Sequence, residues 1–214
     1  MHPPTGSYKN ESFKPNEEQI MKKLSLALFV AALVALTTTT FAQTFSIGPR
    51  VGVNFANLTS DGSDFQNNTL LVAGITSTYS INEKAGIGVD LLYSGEGAES
   101  NNFGDLALNY VRLPIMFQYF FRELGDDFRP KIYAGVAPGL LVNAEQGERE
   151  VIDNYNKFDF AGTAGLGFHY RITGGTWLNT DVRYLRGFSN VIDATPELYN
   201  QHVQVSVGLS FGIE

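Results

Sequence analysis

From Phe45 to Phe211 apolar and polar residues alternate with a period of two, and no stretch keeps a helical period. The first run sets Phe45, Ile47, Val51, Val53 and Phe55 against Ser46, Gly48, Arg50, Gly52 and Asn54. The second sets Leu71, Ala73, Ile75 and Tyr79 against Gly74, Thr76, Thr78 and Ser80. The third sets Ile87, Val89, Leu91 and Tyr93 against Gly86, Gly88, Asp90 and Ser94, and the fourth Val111, Leu113, Ile115, Phe117 and Tyr119 against Tyr110, Arg112, Met116 and Gln118. The fifth opposes Ile132, Ala134, Val136, Leu140 and Val142 to Lys131, Tyr133, Gly135 and Gly139. The sixth opposes Phe158, Phe160, Leu166, Phe168 and Tyr170 to Asp159, Thr163, Gly165, His169 and Arg171. Leu178, Val182 and Tyr184 face away from Asn179, Asp181 and Arg183, and Val203 to Phe211 from Gln204 to Ser210. Eight strands follow.

The make-up of the two faces says which one points inward. A water-facing surface carries many interspersed Lys and Glu. The polar face here is mostly Gly, Ser and Thr, with isolated charges at Arg50, Asp90, Arg112, Asp159, Arg171, Asp181 and Arg183. Small residues with a few charges suit a narrow lumen, and a bulky uncharged face suits lipid. A closed barrel is the β architecture that pairs every backbone group within hydrocarbon. Long connections (about 58–68, 97–106, 144–156 and 189–201) alternate with short ones (82–84, 123–127 and 173–175), as external loops alternate with periplasmic turns. Both mature termini then fall on the periplasmic side. Aromatics collect at strand ends: Phe45, Tyr79, Tyr119, Tyr170 and Phe211 at the short-turn end, Phe55, Tyr93, Tyr110, Phe158 and Tyr184 at the other. They predict two girdles at the membrane interfaces. The expected fold is all-β: an eight-stranded antiparallel up-and-down transmembrane β-barrel, preceded by a signal peptide.

The leader supports export. Residues 1–20 are polar, contain Pro3, Pro4 and Pro15, and read as an upstream extension outside the exported protein. Met21-Lys22-Lys23, the apolar run Leu24–Leu36 and the small residues Thr40 and Ala42 read as a signal peptide over 21–42. That apolar run falls short of the ~18 residues a spanning helix needs. The barrel domain is then 43–214. The chain's net charge of −7 becomes −8 for this segment, because the leader carries Lys9, Lys14, Lys22 and Lys23 against Glu11, Glu17 and Glu18. An acidic chain excludes nucleic acid as a partner. The absence of cysteine excludes disulfides, thiol catalysis, cysteine-bound zinc and a lipidated cysteine.

Four stretches carry a family resemblance: Gly48-Pro-Arg-Val-Gly-Val-Asn54, Leu91-Leu-Tyr-Ser-Gly-Glu-Gly97, Leu108-Asn-Tyr-Val-Arg-Leu-Pro114 and Asp181-Val-Arg-Tyr-Leu-Arg-Gly187. Their order and spacing resemble the PorT-like outer-membrane β-barrel family of Bacteroidetes-type bacteria, across 45–213. The resemblance implies the barrel fold and an outer-membrane location. It departs from the family at Arg112, where members often carry an acid.

The lumen charges are the candidate site. A hairpin centred on Asn101 would set Asp90 opposite Arg112, with Asp159, Asp181, Arg183 and Arg50 extending the network. His169 would lie near Asn179 and diagonal to Asp181. An eight-stranded interior is just wide enough for side chains to fill, so a plug of ion pairs is expected, not a wide pore. No serine sits in a nucleophile-elbow context, and His202 and Ser189 lie at loop edges, so no catalytic residue is assigned. The loop acids Asp61, Asp64, Glu145, Glu148, Glu150 and Asp153 fit no calcium loop, and no metal or cofactor is expected. The expected role is structural or interactive. Its partners would be outer-membrane lipid and lipopolysaccharide, the outer-membrane assembly machinery and an extracellular or envelope protein, with the chain itself a monomer. The alternatives are a narrow channel or secretion accessory, an outer-membrane lipid enzyme, and a soluble lipocalin-like ligand-binding barrel.

Overall fold

The described residues of a computed structural model, 45–59, 68–98, 106–146, 149–152, 155–191 and 199–213, form ten β-strands. The extension expected over 1–20, the signal peptide expected over 21–42 and the loop acids Asp61, Asp64, Glu148 and Asp153 lie outside the described residues. The strands are β1 (Phe45–Thr59), β2 (Asn68–Ser80), β3 (Ala85–Ala98), β4 (Leu106–Arg112), β5 (Ile115–Phe120), β6 (Phe128–Gln146), β7 (Arg149–Glu150), β8 (Phe158–Thr173), β9 (Thr176–Gly187) and β10 (Tyr199–Ile213). Each is antiparallel to its neighbours, and β1 pairs with both β2 and β10, which closes the sheet on itself. β4 and β5 are one traversal interrupted at Leu113-Pro114, since both pair with β3 and with β6. Pro114 has no N–H to offer, but its carbonyl accepts from Asp90 N at 3.0 Å, and Leu113 N donates to Pro138 O at 2.9 Å. β7 is a two-residue return onto the end of β6. Eight traversals result, joined in sequence order.

The pairing registers fix the barrel's width. Following directly opposed residues once around from Phe55 passes Val203, Tyr184, Ala164, Ala134, Phe117, Ile87 and Tyr79 and returns to β1 at Phe45, ten residues lower. With strands ~4.8 Å apart and ~3.3 Å per residue, that stagger tilts them by about 40°. The backbone cylinder then has a radius of roughly 8 Å, about the reach of side chains converging from opposite walls.

The faces divide as the alternation predicts. Leu71, Leu91, Phe117, Ile132, Leu166, Val182 and Leu209 point outward and are exposed, whereas Arg50, Asn54, Thr76, Asp90, Asp181, Arg183 and Gln204 point inward and are buried. This is the reverse of a water-soluble barrel, whose bulky apolar residues fill the interior. Among the described residues no helix is long and apolar enough to cross a membrane.

One irregularity changes the picture. The β4–β6 ladder shifts register between Asn109 and Tyr110, so β6 carries an extra residue near Val142. The shift reverses the alternation, and Leu141 and Ala144 both point inward. The fifth strand therefore runs to Gln146, past the Ala144 at which the sequence pattern ends it.

Candidate functional site

The lumen is filled in four tiers. At the short-turn end lies an aromatic floor of Phe120 and Trp177, both buried. The His169 ring meets Phe120 edge-on with centroids 5.2 Å apart and stands 6.5 Å from Trp177. Arg129 covers the Phe120 ring at 3.9 Å and donates to Glu83 O, so it ties the 81–84 turn across the opening. Arg171 covers Trp177 at 4.6 Å, donates to Leu124 O and Gly125 O, and lies 3.7 Å from Asp127.

Above the floor is a ring of charges drawn from four strands, β1, β3, β6 and β9. Arg50 Nη2 sits 2.8 Å from Asp181 Oδ2 and donates to Thr76 Oγ1, which in turn donates to Asp90 Oδ1 at 2.7 Å. Arg183 Nη2 reaches Asp90 Oδ2 at 2.8 Å from across the lumen. Lys131 Nζ lies 3.0 Å from Asp181 Oδ1 and 3.0 Å from His169 Nε2. All of these side chains are buried, so each charge depends on its partners in place of water.

A second ring sits toward the long-loop end, centred on Arg112. Its guanidinium holds Glu96 through two nitrogens, at 2.5 and 2.6 Å, pairs with Asp159, and donates to Ala137 O at 2.9 Å. Asp159 also accepts from Ser189 Oγ at 2.6 Å and from Asn200 Nδ2 at 3.1 Å. His202 Nδ1 is 3.9 Å from Glu96 Oε2. Gly139 gives the Arg112 guanidinium room, because a Cβ there would stand 2.8 Å from Arg112 Nη1 and require it to shift. The fourth tier is an apolar roof: Leu106, Leu108, Tyr110, Leu141, Ala144 and Val191, with Val151, Ile152 and Tyr155 packed against them.

Three sequence expectations need correction. Asp90 and Arg112 do not pair: Arg112 opposes Leu92 and binds Glu96 and Asp159, while Asp90 opposes Pro114 and binds Arg183 and Arg50. The hairpin is centred one residue later than Asn101, which moves the opposed partner by two positions. Arg171 is not in the charge rings, because it lies beyond them at the rim, bound to the 123–127 turn. Tyr110 is fully buried in the lumen, not in the girdle, because it lies two residues from Arg112 and shares its inward face.

The other predicted positions are occupied as follows. Arg50, Asp90, Asp181 and Arg183 meet in the lower ring, and Asp159 joins Arg112 in the upper one. His169 opposes Asn179. Phe55, Tyr79, Tyr93, Tyr119, Phe158, Tyr170, Tyr184 and Phe211 are exposed on the outer surface, and Phe45 is half-buried. Glu96, Lys131, Arg129 and Trp177 are site residues the alternation did not single out. Glu96 continues the Asp90–Ser94 inward series by one more step of two, and Lys131 lies on the polar face of its run.

The histidines are held apart, His169 in the lower ring and floor, His202 in the upper ring, and Ser189 bonds Asp159 and neither of them. Among the described residues no group of three or more His, Asp or Glu is arranged to hold a metal ion.

An outward apolar belt, a closed ladder and a packed polar interior define an eight-stranded transmembrane β-barrel. The outer membrane protein beta-barrel domain pattern matches residues 41–193, and the chain belongs to that family; the outer membrane is therefore its location. Among solved structures it is similar to Neisserial surface protein A, at 13% identity over 81% of this chain and 100% of that one, with a TM-score of 0.57. It is also similar to the outer membrane protein OprG from Pseudomonas aeruginosa, at 14% identity over 81% of this chain and 97% of that one, with a TM-score of 0.55. At these identities the likeness concerns the fold. No curated protein matches the sequence.

Proposed function

We propose that this protein is a closed, non-enzymatic outer-membrane barrel whose role is structural and interactive: it presents its long loops to the exterior and gives no wide passage through its lumen. The observation that carries this reading is the filled interior. An aromatic floor, two ion-pair rings and an apolar roof lie in series within a cylinder of roughly 8 Å radius. A conducting path would have to displace buried charges from their partners in both rings. The leader over 21–42 and the alternation of long and short connections support export, with the short turns and both mature ends in the periplasm. The four quoted motifs favour a PorT-like member of the family. Its partners are outer-membrane lipid and lipopolysaccharide, the assembly machinery during insertion and an envelope or extracellular protein at the loops; the barrel itself is a monomer.

Liposome swelling tests this. Liposomes containing the folded barrel should swell in isotonic arabinose no faster than protein-free ones. Swelling at the rate given by an open porin would overturn the closed-lumen reading and favour a transport role.

A further inference from the structure

Among the described residues, one charged side chain sits within the apolar outward faces of the traversals: Arg186, on β9. Farther out, at the end of β6, the outward surface is already polar, with Asn143 and Glu145. Arg186 is exposed and has no carboxylate within ion-pairing distance among the described residues. Its position on the wall is well marked. It follows the outward Tyr184 of the long-loop aromatic band on its own strand, and the exposed Phe188 comes just past the strand's end. On β10 the outward series changes from Val203 to Gln201 at the same level, and Gln201 is the residue opposite Arg186. The guanidinium therefore stands where hydrocarbon gives way to head groups. A cation is tolerated near the interface of a membrane barrel far better than at the bilayer midplane.

The surroundings hold this arginine in place. Arg186 Nη1 donates to Gln201 Oε1 at 3.3 Å, and Tyr184 Oη donates to the same oxygen at 3.2 Å. On the other side the facing residue is Gly162, and the Phe188 ring approaches it so closely that a Cβ there would stand 2.8 Å from Phe188 Cζ. The result is a guanidinium steered by one acceptor, flanked along the chain by Tyr184 and Phe188, with donors that no carboxylate among the described residues uses. A membrane offers one complementary group at that depth, the lipid phosphate.

We propose that Arg186, with Tyr184, Gln201 and Phe188, forms a binding site on the barrel wall for the phosphate of an anionic membrane lipid in the leaflet at the long-loop end, the acyl chains lying along Phe160 and Phe188. This inference rests on the membrane-barrel reading above.

The test uses the full chain folded into phosphatidylcholine vesicles containing one-tenth phosphatidylglycerol. Phe188→Trp places a fluorescent reporter at the site, and either the phosphatidylglycerol or an equal fraction of the phosphatidylcholine carries brominated chains. With Arg186 present, brominated phosphatidylglycerol should quench with about five-fold greater affinity than brominated phosphatidylcholine. Arg186→Gln should bring the ratio to about one, and Arg186→Lys should keep part of the preference. Equal ratios for Arg186 and Arg186→Gln, both shown folded by heat-modifiable gel mobility, would overturn the site. Displacement of the lipid by inorganic phosphate at matched ionic strength would overturn the lipid assignment in favour of a free anion. Absence of quenching by either brominated lipid would instead strike the membrane reading itself.

Discussion

Arg112 is the residue on which most of the upper lumen depends. It is the guanidinium that neutralises both Glu96 and Asp159, which are as deeply buried as it is. Arg112→Met should therefore destabilise the barrel by about 3–5 kcal/mol, the typical cost of stranding a buried charge, read as a lowered urea midpoint in detergent micelles. A double-mutant cycle should give strong coupling between Arg112 and Glu96. Between Arg112 and Asp90, which share no partner, it should give less than ~0.5 kcal/mol. Gly139→Ala should cost roughly 1–3 kcal/mol by crowding Arg112, and much less when Arg112 is already methionine. The charges were legible in the sequence, because each falls on the inward parity of its run. Their partners were not. A ten-residue stagger brings residues from non-adjacent strands to one height, so Arg183 on β9 meets Asp90 on β3, and no spacing along the chain encodes that meeting. Tyr110 was legible too: two residues from Arg112, it had to share the lumen face.

At the scale of elements, the strands follow from the period-two pattern, but their ends do not. The alternation reverses at the β6 irregularity, so Leu141, Ala144 and the neighbouring strand's Leu106 and Leu108 form an apolar cluster at a point where a simple pattern reads as loop. Leu108→Ala should cost about 2–5 kcal/mol, measured by the same urea titration, because it opens a cavity in that roof. The short connections are more rigidly specified. Gly174 takes a φ of 46° in the turn between β8 and β9, with nothing around it to obstruct a side chain. Gly174→Val should slow folding into micelles and cost ~1–2 kcal/mol, whereas Gly174→Asn should cost a few tenths, since asparagine tolerates the left-handed region. Equal effects of the two would show that the turn conformation is not the constraint.

For the whole molecule, the composition gains its meaning from topology. A chain that is 43% hydrophobic and 17% charged looks like an ordinary soluble protein until the closed sheet separates its two faces. The bulky residues form the outer belt, and much of the polar half is hidden in the lumen. The central proposal is that closure, stagger and side-chain volume together leave no continuous passage along the axis. Single-channel recording in planar bilayers tests it most directly. The wild-type barrel, inserted and verified as folded, should show no steady open level above the bare-membrane baseline in 1 M salt, where the Debye length is about 3 Å. A stable conductance step at every insertion event would contradict the closed lumen.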